Sequence, residues 1–411
     1  AIMRLTLINQ FYKPDLAPTG HSAASLAEHR AMQGDHVTVI TSSGGYVPES
    51  GSQIGTRLPN LRISRVWTPR LGKERKLKRV LDYAAFYLLA ALRMLFLPRQ
   101  DVIVSLTTPP FIAWTAVFHK WLHPSTSIVL WNMDCYPEIA EQTGVITEGG
   151  LVSRTLRWLN RRLFLKLDHV VCLDRAMLKI LQTNYAHVVK SPAFHVIPNW
   201  EPADQFPPDL QPIVWDDAPP IEVEDPFIIL YLGNAGFGHR FETVMDAAEQ
   251  LSNAPFIFLF VGGGQQWSWL ADAVATRELK NVILHPYVPK EITPSVMAFA
   301  DCALITMRES ALGLISPSKL HASLGMHLPV LYIGPEKSNV DDAIQKFGIG
   351  LSIRHGDVSR LITFLQELQN SPGKKKDLQK KARHAFEAAY SDSQCLPLFD
   401  ALLSSLITKP G

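Results

Sequence analysis

The chain has 411 residues, of which 47% are hydrophobic and 19% charged, and its formal net charge is +2. That length exceeds the size at which a single core usually stops growing, so two domains are expected, and the near-neutral balance argues against a nucleic-acid partner. The four cysteines, Cys135, Cys172, Cys302 and Cys395, stand far apart without metal-ligand spacing. They read as reduced thiols in a cytosolic protein.

Arg4-Leu-Thr-Leu-Ile-Asn9 is too short for the apolar core of a signal peptide and is predicted as a first strand. A loop through Pro14, Pro18 and Gly20 follows, then a helix over 22–33 stopped by Gly34, then a strand over 36–41. This is a βαβ opening, with Gly20 in the first loop where a bound phosphate needs close backbone approach. The dinucleotide fingerprint would need further glycines there, which argues against a nicotinamide enzyme.

After a short strand over 62–67, Arg70, Lys73, Arg75, Lys76, Lys78 and Arg79 crowd into one segment opposed only by Glu74, ahead of the apolar stretch 80–97. A spanning helix needs roughly 20 apolar residues, and Asp82 and Arg93 interrupt this stretch, so no transmembrane segment is predicted. Two readings of the basic segment stand side by side. It is a solvated turn before a buried helix, or a surface that rests on anionic lipid or grips the phosphate of a lipid-linked substrate.

Strands over 101–106, 126–131 and 169–173 alternate with helical segments near 111–122 and 151–166, which predicts a parallel sheet covered on both faces. Asn132-Met-Asp134-Cys-Tyr-Pro137-Glu138 follows the strand ending at Trp131. Carboxylates there lie where such folds place their sites, although Asp134 and Glu138 read equally well as a helix cap and first-turn acid. His119 sits in an apolar helical pattern and reads first as a satisfied core or surface histidine, second as a group that positions an acceptor.

The proline- and acid-rich stretch 201–226 reads as a linker between a domain over 1–200 and one over 227–390, with a last helical segment over 391–411 packing back on the first. The second half repeats the alternation, with strands near 227–232, 255–261, 282–285, 301–307, 329–333 and 348–353. Two of its strands run into polar loops that open helices: Gly233-Asn234-Ala235-Gly236-Phe237-Gly238-His239, and Ser316-Pro317-Ser318-Lys319-Leu320. A helix start leaves N–H groups unpaired and carries positive partial charge, so each is a ready anion site. Lys319 adds a full charge. Two such sites in one half suggest a diphosphate.

Taken in order, Pro14…Ala17-Pro18-Thr19-Gly20, Asp134…Pro137-Glu138, Ile197-Pro198-Asn199-Trp200, Tyr231-Leu-Gly233-Asn234…Gly236…His239…Glu242-Thr243, Val261-Gly262-Gly263-Gly264 and Pro317-Ser318-Lys319 resemble the retaining glycosyltransferases of the GT-B fold, family 4, also called group 1. The resemblance covers nearly the whole chain and implies an α/β protein of two Rossmann-like, doubly wound domains facing each other across a cleft. It implies a nucleotide-sugar donor, usually a UDP or GDP sugar, with UDP-glucose the leading expectation; neither half shows the clustered aspartates that would hold a divalent metal, so no metal or other cofactor is expected. Gly233, Asn234, Gly236, Gly262 and Gly263 would lie at the diphosphate with His239 and Arg240, and Ser316, Pro317, Ser318, Lys319 and Leu320 would contact diphosphate and ribose. Tyr287 and Val288 would receive the base, and Gly20 would close from the other domain.

Lys319 would stabilise the charge that builds on the leaving phosphate, with Asp134, Glu138 and His119 as groups for the acceptor. The expected acceptor is a lipid-linked oligosaccharide in polysaccharide biosynthesis, at the inner face of a membrane. The chain departs from the family pattern at one place, since Glu309 has Pro317 eight positions on where many members carry a second glutamate. Sugar-nucleotide epimerases share the architecture, and a degenerate transferase kept as a scaffold subunit is a third reading.

Overall fold

The computed structural model describes residues 2–13, 17–43, 58–69, 76–185 and 192–407. Pro14, and Arg70, Lys73 and Arg75 of the basic segment, lie outside them, as do residues 408–411 of the last segment. Two units share the chain: Ala1–Pro198 with Leu396–Gly411, and Asn199–Cys395.

In the first unit the order is β1 (Arg4–Ile8), α1 (Pro18–Met32), β2 (His36–Ser42), β3 (Leu61–Val66), α2 (Lys76–Phe96), β4 (Val102–Ser105), α3 (Trp114–Leu122) and β5 (Ser127–Trp131). It continues with α4 (Glu138–Gln142), α5 (Leu151–Phe164), β6 (His169–Cys172), α6 (Arg175–Tyr185) and β7 (Ala193–Val196). The strands form one parallel sheet in the order β3-β2-β1-β4-β5-β6-β7. Four-residue β4 is buried throughout, as an inner parallel strand covered on both faces must be.

Right-handed crossovers put α1, which steps outward from β1 to β2, on one face of this sheet. The helices α2, α3, α5 and α6 step the opposite way and cover the other. Nδ1 of buried His119 on α3 donates to Met94 O on α2 at 2.8 Å, tying two of these neighbours together. Among the described residues no helix is long and apolar enough to cross a membrane.

Gly20 is not in the first loop. Helix α1 begins at Pro18, a residue preset for a first helical position, so Gly20 lies in its first turn. A Cβ there would meet Phe11 C and Tyr12 N at 3.3 Å, so the glycine lets the 11–12 backbone pass close to the helix.

The second unit runs β8 (Phe227–Asn234), α7 (Glu242–Gln250), β9 (Phe256–Gly263), α8 (Trp267–Thr276), β10 (Val282–His285), α9 (Thr293–Ala298), β11 (Cys302–Thr306) and α10 (Lys319–Gly325). Then follow β12 (Val330–Ile333), α11 (Asn339–Phe347), β13 (Gly350–Ile353), α12 (Val358–Asn370) and α13 (Pro372–Ala385). Its six parallel strands are ordered β10-β9-β8-β11-β12-β13. The 201–226 stretch, read from composition as a linker, is a packed strap of this unit. Phe206 and Trp215 are buried in its core, and Arg383 donates to Phe206 O at 2.6 Å.

A last helix, α14 (Asp392–Ile407), ends on the first unit, on the α1 face of its sheet. Asp400 accepts from His29 and Arg30, each at 2.8 Å, while Arg30 also bridges Asp35 at 2.5 Å. Phe399 packs on Trp131 of β5 with ring centroids 4.7 Å apart. Asp400→Ala strips one acceptor from two cationic or polar partners, which should lower the stability of the first unit by about 1–3 kcal/mol. Urea unfolding followed by tryptophan fluorescence checks this, and an unchanged midpoint would show that the clamp contributes nothing.

Candidate functional site

Strands β8 and β9 run side by side to their ends, pairing Gly233 with Gly262 and Asn234 with Gly263. A Cβ on Gly262, where φ is +151°, would lie 2.0 Å from Gly233 O, and one on Gly264 would lie 2.3 Å from Asn234 Oδ1. Only glycine allows this approach.

The loop beyond β8 is held by its carbonyls. Gln266 donates from its backbone to Ala235 O at 2.9 Å and from Nε2 to Gly236 O at 2.6 Å and His239 O at 2.5 Å. Arg308 donates to Phe237 O at 3.1 Å and, from its backbone, to Gly238 O at 2.8 Å. The amides of Gly236, Phe237 and Gly238 make no hydrogen bond among the described residues. Unpaired amides in sequence form a concavity suited to an anion. Gln266 and Arg308 escaped the sequence reading, and the only signals were a polar residue after the third glycine and a cation just past β11.

Lys319 opens α10 and reaches back to the same strand end, its Cε 3.1 Å from where a Gly233 Cβ would stand. Its Nζ lies 4.8 Å from the ring centroid of Tyr231 and 3.5 Å from His239 Nε2. Nδ1 of His239 donates to Thr306 O at 2.9 Å, so Nε2 is left as the acceptor facing the ammonium. Burial, then the charge of Lys319, pushes the His239 pKa down to about 3, and burial lowers that of Lys319 to about 8. A neutral imidazole can therefore accept from the lysine without competing charge.

Around this pair, Asn339 Nδ2 donates to Pro317 O at 2.9 Å and fixes the loop holding Ser316 and Ser318. Leu320 is buried in the core, which leaves only its backbone for a ligand. Tyr287 is exposed, and its hydroxyl donates to Asn234 Oδ1 at 3.3 Å. Its ring crowds Gly263, where a Cβ would approach to 2.8 Å. Val288 packs against the apolar core. Arg240 is engaged by Glu242 at 3.3 Å and Glu309 at 3.2 Å. Burial raises the Glu309 pKa, but its own backbone N–H, His355 and Arg240 outweigh that and hold the carboxyl below its usual range.

In the first unit the three groups singled out from the sequence separate. Asp134 lines a pocket at the carboxyl ends of β4 and β5, with Leu106, Phe111, Tyr136, Asn160 and Phe164 among its walls. Burial pushes its pKa up to about 6. Glu138 belongs instead to an ion-pair knot between α4 and α5. Arg157 lies 3.3 Å from it and 2.7 Å from Glu141, and Asn184 donates to it at 3.1 Å. His119 is turned toward Met94 of α2.

Residues 19–200 match the Glycosyl transferase 4-like domain. The chain is 26% identical over 361 residues to WbjE of Pseudomonas aeruginosa, a probable glycosyltransferase, covering 83% of this chain and 84% of that one. It is 24% identical over 384 residues to WcaI of Escherichia coli strain K12, described as a putative colanic acid biosynthesis glycosyl transferase, covering 89% and 92%. Among solved structures it resembles Anabaena HepE in complex with UDP-glucose, with a TM-score of 0.65 and 13% identity over 98% of this chain and 100% of that one. The fold is GT-B, built of two Rossmann-like parallel-sheet domains.

The depressed Lys319 pKa makes a signed prediction. In the unfolded chain the amine keeps its proton up to its ordinary value of 10.5, in the folded chain only to about 8. Between these values the unfolded state binds more protons, so this group makes stability rise with pH. Chemical unfolding from pH 8 to 10 should show the wild type gaining stability relative to Lys319→Met, and parallel profiles would contradict the burial of that charge.

Proposed function

For this glycosyltransferase, we propose transfer of a hexose, glucose the leading choice, from a UDP-sugar to a lipid-linked oligosaccharide acceptor in polysaccharide biosynthesis, with retention at the transferred carbon. The observation that carries the reading is the Lys319 ammonium standing over the same strand end as the unpaired amides of Gly236, Phe237 and Gly238. Breaking a sugar–diphosphate bond builds negative charge on the leaving oxygen. Preorganised N–H groups and a half-buried ammonium stabilise that charge more in the transition state than in the ground state.

In this reading the diphosphate rests on the 233–239 loop and the start of α10, and the exposed Tyr287 ring meets the base. The charge on the diphosphate is met by these groups, and the transfer runs without a metal ion. The acceptor hydroxyl attacks from the face the phosphate leaves, and a departing phosphate oxygen takes its proton. Asp134 then needs only to hold the acceptor, which suits a carboxyl in a pocket of mixed lining, with Thr107, Asn132, Tyr136 and Asn160 beside its apolar walls. Support for the donor comes from HepE, solved with UDP-glucose, and for the process from the description of WcaI. A lipid-linked acceptor places the reaction at the cytoplasmic face of a membrane.

Calorimetric titration with UDP, GDP and ADP, each with and without EDTA, tests the donor assignment. Selective UDP binding that survives EDTA is the expected result, and loss of binding in EDTA would overturn the metal-free site. Lys319→Ala should cut turnover more than about tenfold while leaving the fold intact. A well-folded variant with full activity would remove Lys319 from the mechanism.

A further inference from the structure

In the cavity at the carboxyl ends of β4 and β5, several polar groups of the lining are already engaged. The Thr107 hydroxyl accepts from Met133 N at 3.2 Å, and Asn132 Nδ2 is turned to Cys135 Sγ at 3.5 Å and Met177 Sδ at 3.4 Å. Asn160 Nδ2 donates to Tyr136 O at 3.1 Å and to the Tyr185 hydroxyl at 2.5 Å. Neither the Asp134 carboxyl nor the Tyr136 hydroxyl has a hydrogen-bond partner among the described residues. Burial, then the charge of Asp134, raises the Tyr136 pKa, so the phenol keeps its proton and can donate. The carboxyl, its pKa pushed by burial to about 6, is mostly ionised at neutral pH and can only accept.

The rest of the lining is apolar, with Leu106, Phe111, Leu163 and Phe164 in it. Its free volume is about 20 Å³, little more than one water molecule needs. The cavity therefore takes the tip of a substituent, and a sugar ring stays outside it. Tyr83 and Tyr87, four residues apart on α2, share one side of that helix. Tyr136 lies near enough to both for their ionisation to be linked. Phenols present an apolar body and a polar handle, as a sugar ring does.

We propose that this cavity reads an acetamido substituent on the acceptor sugar. The amide N–H donates to Asp134, the amide carbonyl accepts from the Tyr136 hydroxyl, and the methyl fills the apolar space. Other substituents of similar size leave something unmatched. A hydroxyl can satisfy the carboxyl but gives the apolar walls no contact. An ammonium spends three donors on a lining that is largely apolar, and a carboxylate is repelled by Asp134. A site built to hydrogen-bond one group rejects the analogue that lacks it more strongly than an apolar pocket does. That the sugar is the acceptor rests on the function proposed above, whereas the preference for an acetamido group rests on the lining alone.

The test is saturation-transfer NMR on the full chain, with and without UDP, using the methyl glycosides of N-acetylglucosamine, N-acetylgalactosamine, glucosamine and glucose as probes. Compared are the wild type, Asp134→Asn, Asp134→Leu and Tyr136→Phe. The wild type is expected to bind an acetamido glycoside at least about tenfold more tightly than the glucoside or glucosaminide, with the strongest saturation on the acetamido methyl. Asp134→Leu is expected to abolish the preference and Tyr136→Phe to weaken it, while Asp134→Asn, which keeps a carbonyl acceptor, retains part of it. Thermal midpoints and UDP titrations of the three variants should match the wild type.

Equal affinity for the glucoside and the acetamido glycosides would overturn the acetamido reading and leave a sugar acceptor in place. Tighter binding of the glucosaminide would overturn it as well, since the carboxyl would then hold a cation. So would an acetamido preference that survives Asp134→Leu, because the group would then be read elsewhere. Binding of none of the four would sink the inference together with the acceptor assignment, while the UDP titration reports separately on the donor site.

Discussion

Lys319 holds its charge over the ring of Tyr231, half out of water, with no carboxylate in contact among the described residues. Much of the second unit's site follows from supporting that cation without neutralising it. The imidazole of His239 is turned by Thr306 so that it can only accept, and the nearby carboxylates of Glu242 and Glu309 are engaged by Arg240. A protein that desolvates an ammonium and withholds its counterion makes an incoming anion the missing partner.

The second requirement is steric. The ends of β8 and β9 approach so closely that Gly262 and Gly264 have no room for a Cβ, and that closeness sets the loop carrying the unpaired amides. Gln266 and Arg308 then fix the loop through its carbonyls alone. Amide donors stay available while Gln266 and Arg308 bind the other end of these peptide groups.

What could be read from the sequence was what is local. Apolar runs of four to eight residues separated by helical periods give the two parallel sheets, and glycines next to strand ends mark the loop at 233–239. Lys319 is legible because its loop and helix are contiguous. Gly20 is hard to place from sequence because Pro18 and Thr19 have loop composition, whereas proline starts α1 there. Helix α6 and edge strand β7 went unread, the latter because its burial, exposed at both ends, gives no clean alternation. Asp134 and Glu138 looked equivalent, and only Arg157 and Asn184, brought in by folding, tell the paired acid from the one that lines a pocket. Prolines and acids between 201 and 226 hid Phe206 and Trp215, whose burial makes the stretch part of the second unit.

The return of α14 to the α1 face has a consequence for how the chain is made. The first unit's sheet is encoded by residues up to Val196, yet the partners of Trp131 and Arg30, Phe399 and Asp400, come after the entire second unit. On a ribosome, which releases the chain from its N-terminal end, every strand of the second sheet emerges before that face of the first is covered. Order of synthesis and order of completion are therefore reversed, and the nascent first unit carries an open apolar strip until its last helix arrives.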